Sequence, residues 1–243
     1  MHRTTMDDIE DSGAIGELKN VSRAMLRDQT YASLKKAILT GRIAQGEKLN
    51  IRKLAAVSDF SSTPIREAFL KLEHDGIVVR AAGGHFFVRQ FSQKEVERIF
   101  HLRILLETYG AAKTLEYITE EDISWLEENI RRSEEALAQD LISEVSELNA
   151  EFHNYLTKIS TDGILQDLLQ GLSDKIWIGR STALYAPGKA ENAITQHRKI
   201  VVCLKARNLR AVRRALKEHI LTAMRIVSKE MARATEKRGH GRK

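Results

Sequence analysis

The stretch Ser61-Ser62-Thr63-Pro64-Ile65-Arg66-Glu67-Ala68-Phe69 constrains the fold more than any other. It begins a helix: Ser61 or Ser62 can cap, Pro64 suits the first helical position, and Glu67 can close a capping box. Phe69, Leu70 and Leu72 supply apolar positions beyond it, and His74-Asp75-Gly76 ends the run. A second short helix, Ile51 to Val57, lies just upstream, so Ser58 to Ser61 must turn tightly. Two short helices joined this way form a helix-turn-helix, whose second helix can enter the major groove of DNA. Hydroxyls and Arg66 at the front of that helix sit where phosphates and base edges are met.

The flanking sequence extends this unit. From Leu26 to Leu39 the spacing of Leu26, Tyr31, Leu34, Ile38 and Leu39 is helical, and Gly41 ends the run. Ile77 to Arg80 and Phe86 to Arg89 read as two strands around a tip at Ala81 to His85. Gly83 and Gly84 in that tip permit positive φ and close approach to a phosphate or a minor groove. Between Met25 and Gln90 there are 11 Lys and Arg against 6 Asp and Glu, so positive charge gathers where nucleic acid would be met. The whole chain carries a formal charge of +6.

Beyond Arg89 the pattern changes. Ser92-Gln93-Lys94-Glu95 is a capping box, and the chain from there on reads as helix after helix. The expected segments are 94–117, one capped at Thr119 and running to 138, 141–159, 164–184, 191–206 and 208–234. Ala186-Pro187-Gly188 marks a loop, Asn208 suits an N-cap, and no strand signal is present. The fold class is therefore mainly α. An N-terminal winged helix-turn-helix, three helices plus a two-stranded wing, precedes an all-α antiparallel helical bundle. The expected domains are a disordered arm at 1–21, a winged helix-turn-helix DNA-binding domain at 22–90, a helical bundle at 91–235, to which the resemblance described below assigns effector binding and dimerisation, and a frayed basic tail at 236–243.

No apolar run approaches the ~20 residues of a membrane span, so no membrane partner is expected. No secretory signal is visible at the N-terminus. The single cysteine, Cys203, excludes an intrachain disulfide framework and fits a reducing cytoplasm; its apolar neighbours predict a small buried core residue. In the bundle, Asn149 and His153 are four apart and share a helix face, while His197 and His219 come later, on the last two helices. Three histidines on three apolar-rich helices either converge on a borderline divalent metal or are separate, satisfied core residues.

The helix-turn-helix residues resemble the GntR family of bacterial transcription regulators. That pattern has a Leu-Ala pair, a Gly-Val-Ser turn and Arg-Thr-Pro-Val-Arg-Glu-Ala-Leu. Here it reads Leu54-Ala55, Asp59-Phe60-Ser61 and Ser62-Thr63-Pro64-Ile65-Arg66-Glu67-Ala68-Phe69. Ser62 stands where an operator-contacting Arg is usual, and Ser58 where a core Leu is usual. The helical half resembles the FCD effector domain of the FadR-type subgroup. Arg103 with Leu106-Glu107, Asn149-Ala150-Glu151-Phe152-His153, Gln196-His197 and His219 fit its motifs; metal-binding members more often have Asp at the position of Asn149.

The resemblance implies a homodimer that binds a palindromic double-stranded operator. Arg52, Ser61, Ser62, Thr63, Arg66 and Gly83 would contact DNA. Asn149, His153, His197 and His219 would hold a divalent transition metal, Zn²⁺ with Ni²⁺ as the alternative. Arg103 would meet a small carboxylate effector, and repression relieved by that ligand is the expected sign. Two alternatives remain at this level: an FCD domain that binds its effector without metal, and a metal-dependent hydrolase. Against the hydrolase, no acid near the histidines has the general-base placement that an HExxH helix provides. No catalytic residue is assigned.

Overall fold

The computed structural model describes residues 25–180 and 188–240, the side chains of 176–180 and 234–240 excepted. The chain forms two compact units that divide between Gln90 and Phe91. In the first, helix α1 is described over 25–39. It is followed by β1 (Lys48–Leu49), α2 (Ile51–Val57), α3 (Ser62–His74), β2 (Val78–Arg80) and β3 (Phe86–Val88). The strands form one antiparallel sheet in the order β1-β3-β2, with Leu49 opposite Phe86 and Val78 opposite Val88. The wing therefore gains a third, two-residue strand that no alternation in so short a segment could announce.

The core of this unit is built from Leu34, Ile38, Ile65, Phe69, Leu72, Ile77, Phe86 and Val88. Phe69 and Phe86 meet with ring centroids 5.2 Å apart, which docks α3 on the sheet. Tyr31 ties α1 to the end of α3 by donating to Asp75 Oδ2 at 2.5 Å, while Lys71 Nζ lies 4.3 Å from its ring centroid. Helix α3 ends as its sequence requires. Gly76 takes φ +71, Ile77 N–H returns to Leu72 O at 2.9 Å, and Gly76 N–H to Glu73 O at 3.0 Å.

The start of α3 departs from expectation. Ser61 is the N-cap, yet its side chain makes no capping bond and Glu67 closes no capping box. Pro64 sits at the third helical position, because Ser62 and Thr63 join the helix ahead of it. The N–H groups of Ser62 and Thr63 thus stand at an exposed end that the Ser61 side chain does not cap. One apolar position differs from expectation, and the residue that stands in place of a usual core Leu lies at the surface. Leu70 is 44% exposed, and Ser58 is an exposed C-cap whose hydroxyl donates to Leu54 O at 2.8 Å. Ser58 thus stands outside the core, where its hydroxyl keeps a partner.

The second unit is helical throughout its described residues: α4 (Gln93–Tyr117), α5 (Glu120–Ala138), α6 (Ile142–Ile159), α7 (Gly163–Arg180), α8 (Lys189–Lys205) and α9 (Leu209–His240). Ser92 and Glu95 form the capping box of α4, and Thr119 with Asp122 that of α5. Asn208 Oδ1 accepts from Ala211 N at 3.0 Å and starts α9. α4 packs on α9 and α7, α5 on α6 and α8, and α8 on α9. Leu126, Leu148, Phe152, Ile200, Leu204, Val212 and Leu216 form the shared core. Cys203 is only partly buried beside it, not within it.

α9 runs six residues beyond its expected end at 234, to His240, so the backbone at 236–240 is helical instead of a frayed tail. Residues 232–238, Ala-Arg-Ala-Thr-Glu-Lys-Arg, contain no breaker before Gly239. The expected arm at 1–21, the end of the helix at 184 and most of the Ala186-Pro187-Gly188 loop lie outside the described residues. Among the described residues no helix is long and apolar enough to cross a membrane.

Candidate metal centre and nucleic-acid interface

Each histidine of the bundle interrupts an apolar stripe, and that placement carries it inward. His153 follows Leu148 and Phe152 on α6, His197 lies between Ile194 and Ile200 on α8, and His219 lies between Leu216 and Ile220 on α9. They are 7%, 2% and 3% exposed. One ligand nitrogen from each lies within 4.8 Å of the others. The Nε2 atoms of His153 and His219 are 3.0 Å apart. Phe152 stacks on the ring of His197, with centroids 4.0 Å apart and planes 7° from parallel, which fixes its orientation.

The outer nitrogens set the proton positions. His153 Nδ1 is 2.9 Å from Glu107 Oε2; an ionised carboxylate only accepts, so Nδ1 carries the proton. His219 Nδ1 is 3.0 Å from Gln196 Oε1. The Gln196 amide is oriented by Thr222, whose hydroxyl donates to Glu218 O at 2.9 Å and accepts from Gln196 Nε2 at 3.3 Å. When each ring carries only its Nδ1 proton, the Nε2 lone pairs of His153 and His219 face each other at 3.0 Å, a repulsive contact that a proton or a metal cation between them makes attractive. Burial first, then His197, His153 and Arg103, push His219 well below its ordinary pKa despite Glu107. A proton is thus poorly held on His219, whereas a metal ion needs the neutral ring.

The residues present fit a borderline divalent ion. Asn149, 3% exposed and one helical turn before His153, has neither side-chain polar atom in a hydrogen bond within the protein. A buried amide in that state is costly, and a cation accepting its oxygen removes part of the cost. Arg103 is buried, and its Nε and Nη2 reach Glu107 Oε1 at 2.7 and 2.6 Å. Burial alone would raise the Glu107 carboxyl; Arg103 and then His153 reverse this and hold it well below the usual carboxylate range. Glu107 thus links Arg103 to His153. Its spacing of four from Arg103 was the available sequence signal, since such pairs share a helix face. Gln196 stood in the sequence only as the first member of the Gln196-His197 motif; its contact with His219 is made by the packing of α8 on α9. A cavity of about 20 Å³ is lined by Glu107, Thr114, Leu165, Leu169 and Leu216 among others; none of the three histidines, Asn149 or Arg103 lines it.

In the first unit a cleft of about 790 Å³ opens between α2, α3 and the wing. Arg52, Ser62 and Arg66 line it, joined by Lys48, Arg80 and His85; no Asp or Glu does. Arg80 is steadied by Glu73 at 2.7 Å. Ser61, Thr63 and Gly83 stand close in sequence to this lining; Ser61 and Thr63 are exposed at the front of α3, and Gly83 takes φ +87 in the wing turn. His85 and Lys48 enter the cleft through the sheet register, which pairs Lys48 with Phe87 and Leu49 with Phe86. An uncapped helix end and a carboxylate-free basic lining form a surface suited to a polyanion.

This pairing of a winged helix-turn-helix with a histidine-bearing helical bundle defines a class of bacterial regulators. Residues 15–88 match the gntR family of bacterial regulatory proteins, and residues 98–222 match the FCD domain. The chain belongs to the GntR family, in the group that carries an FCD domain. It is a DNA-binding transcriptional regulator.

The uncharacterized HTH-type transcriptional regulator YdhC of Bacillus subtilis is 31% identical over 196 residues, covering 79% of this chain and 85% of that protein. The HTH-type transcriptional repressor RspR of Escherichia coli is 27% identical over 196 residues, covering 80% and 86%. The structure of E. coli McbR/YncC superposes with a TM-score of 0.74 at 22% identity, over 84% of this chain and 98% of that one, a likeness of fold. These relatives are regulators and not enzymes, which removes the hydrolase alternative.

Proposed function

We propose that the protein is a cytoplasmic, metabolite-responsive repressor. It binds a palindromic operator as a homodimer and releases it when a small carboxylate enters a metal-containing bundle. The segment 22–90 reads DNA through Arg52, Ser61, Ser62, Thr63, Arg66 and Gly83, and the segment 91–235 senses the ligand and pairs the subunits. The name of RspR, a repressor, supports the sign. The observation that carries the sensing role is the convergence of three buried histidines within 4.8 Å. Asn149, His153, His197 and His219 would hold a divalent ion, Zn²⁺ or Ni²⁺. When bound, such an ion supplies a Lewis-acidic position for a ligand oxygen. Arg103, held by Glu107, offers its remaining N–H groups to a carboxylate.

Dimerisation is supported by an apolar face on the bundle. Leu102, Leu105 and Tyr109 on α4 are 48%, 65% and 63% exposed, and Ile164 and Leu168 on α7 are 78% and 52% exposed. α4 and α7 pack together, so these side chains flank one crossing. A second copy of the chain seated there would remove these five apolar side chains from water, and a stable interface buries ~800 Å² per partner. Two-fold symmetry then requires a two-fold site on DNA. For the ligand to matter, it must bind one dimer arrangement more tightly than the other.

A metal-free reading has one observation in its favour: 3.0 Å also fits a single proton shared by His153 and His219. Metal analysis separates the two. Plasma mass spectrometry of untagged protein is expected to find about one divalent ion per chain, lost in His153→Ala. Absence of metal after incubation with Zn²⁺ or Ni²⁺ would replace the metal centre by the metal-free reading, in which the histidines bind the effector directly, and leave the DNA-binding role intact.

A further inference from the structure

We infer that the histidine cluster takes up its metal ion and a small anion as a pair, each raising the affinity of the other, because Asn149 leaves the centre without an unbalanced carboxylate. The inference rests on the metal-dependent reading above and concerns how that centre is regulated. It follows from the charges around the cluster. Asn149, His153, His197 and His219 are all neutral ligands on buried side chains, at most 7% exposed. Among the described residues, Glu107 is the carboxylate that reaches the cluster, and its charge is already committed. Oε1 receives Arg103 at 2.6 Å and Oε2 receives His153 at 2.9 Å, with both side chains of the ion pair at most 8% exposed.

Arg103 and Glu107 therefore cancel, and a divalent ion would enter a neutral, buried set. Burying charge without an opposite charge is strongly unfavourable, and the cost falls when an anion completes the coordination. An anion alone fares little better, since Arg103 is shared with Glu107 before it arrives. Bound together, ion and anion offset each other.

Asn149 is the residue that makes the pairing strong. An Asp in its place would supply from the protein the charge that the anion otherwise brings. The Asn149 amide, with neither polar atom hydrogen-bonded within the protein, marks a position that awaits a ligand without contributing charge. Regulation arises by linkage: the coupling is reciprocal, so a carboxylate metabolite raises metal occupancy by the same factor by which metal raises metabolite affinity.

The test uses the full-length protein, stripped by a chelator and held in chloride-free buffer, with Zn²⁺ affinity read by competition against a fluorescent chelator. Acetate serves as the probe anion. Acetate is expected to tighten Zn²⁺ binding by about tenfold or more, and calorimetry of acetate with and without Zn²⁺ is expected to return the same factor. Asn149→Asp is expected to bind Zn²⁺ more tightly without acetate and to reduce the acetate effect to about twofold or less. Equal wild-type affinities with and without acetate would overturn the pairing while the metal centre stands. No Zn²⁺ uptake in either buffer would overturn the metal centre itself and the pairing with it. A folded Asn149→Asp that keeps the wild-type acetate dependence would overturn the assignment to Asn149; should that variant not fold, the two wild-type measurements decide the matter.

Discussion

Arg66 illustrates how a single residue acquires its role from its position on a helix. It stands one turn beyond Ser62 on the exposed side of α3 and lines the same cleft as Arg52, Arg80 and His85. Ser62 replaces the Arg usual in the family, so the first turn of α3 carries hydroxyls and N–H groups and the nearest guanidinium in that helix is Arg66. Hydroxyls and amides suit phosphates, whereas a guanidinium can pair with guanine in the major groove. Arg66→Ala is expected to weaken binding to a DNA fragment selected by the wild-type protein by about 1–3 kcal/mol, with little change on unrelated DNA. Fluorescence anisotropy measures both. An equal, smaller loss on both DNAs, with a salt slope reduced by about 1, would reassign Arg66 to a phosphate.

At the scale of the element, the crossing of α4 and α7 depends on Gly110. A Cβ added there would lie 2.7 Å from Leu165 Cδ2, and Leu165 is itself buried. Two effects oppose each other on substitution. Replacing a mid-helix glycine by alanine gains roughly 1 kcal/mol of helix propensity, while inserting carbon into a packed contact costs about 1–3 kcal/mol. For a single methyl against a terminal leucine methyl these nearly cancel. Gly110→Val adds two further carbons and loses β-branched rotamer freedom in a helix. It is therefore expected to destabilise by about 1–3 kcal/mol, read as a lower urea midpoint, with Gly110→Ala close to wild type. A more distant device closes the other end of α4: Arg207, at φ +49, donates to Leu115 O and Ile118 O, each at 3.0 Å. Those carbonyls belong to the last turn of α4 and its C-cap, where a cation also complements the helix dipole.

For the whole molecule, the exposed apolar face of α4 and α7 bears on assembly. Leu105 is 65% exposed near its middle, so a charge there leaves the fold of one chain untouched and opposes burial against a second copy. Leu105→Asp is expected to elute with about half the wild-type mass by light scattering and to lose tight binding to a two-fold operator. A variant that remains dimeric would move the interface to another face. The basic residues proposed to meet DNA belong to the first unit, where 11 cations meet 6 anions between Met25 and Gln90, and the proposed pairing face belongs to the second, so the two proposed roles rest on different residues.

The sequence by itself determined the order and type of the helices, because their signals are local. Ser92 with Glu95, Thr119 with Asp122, Asn208 and Gly76 each satisfy backbone groups within a few residues, and each does so in the structure. Local rules failed where neighbours in space decide. Pro64 reads as a first helical residue, yet Ser62 and Thr63 precede it in α3; β1 exists through its pairing with β3; Leu70 faces water beside a fully buried Phe69.

The same division runs through the candidate site. Spacing made it legible that Asn149 and His153 share a face; the spacing of four between Arg103 and Glu107 permits their ion pair, but the sequence reading gave Arg103 to the effector alone. Tertiary structure alone decided that His153, His197 and His219 meet, since they are 44 and 22 residues apart and only the packing of α6, α8 and α9 brings their rings together. It also decided that Gln196 and Glu107 hold the outer nitrogens. A chain dictates its short-range hydrogen bonds through the few dihedrals between partners. Contacts between distant helices depend on how whole apolar faces fill a common core, and that sum is not written in any one segment.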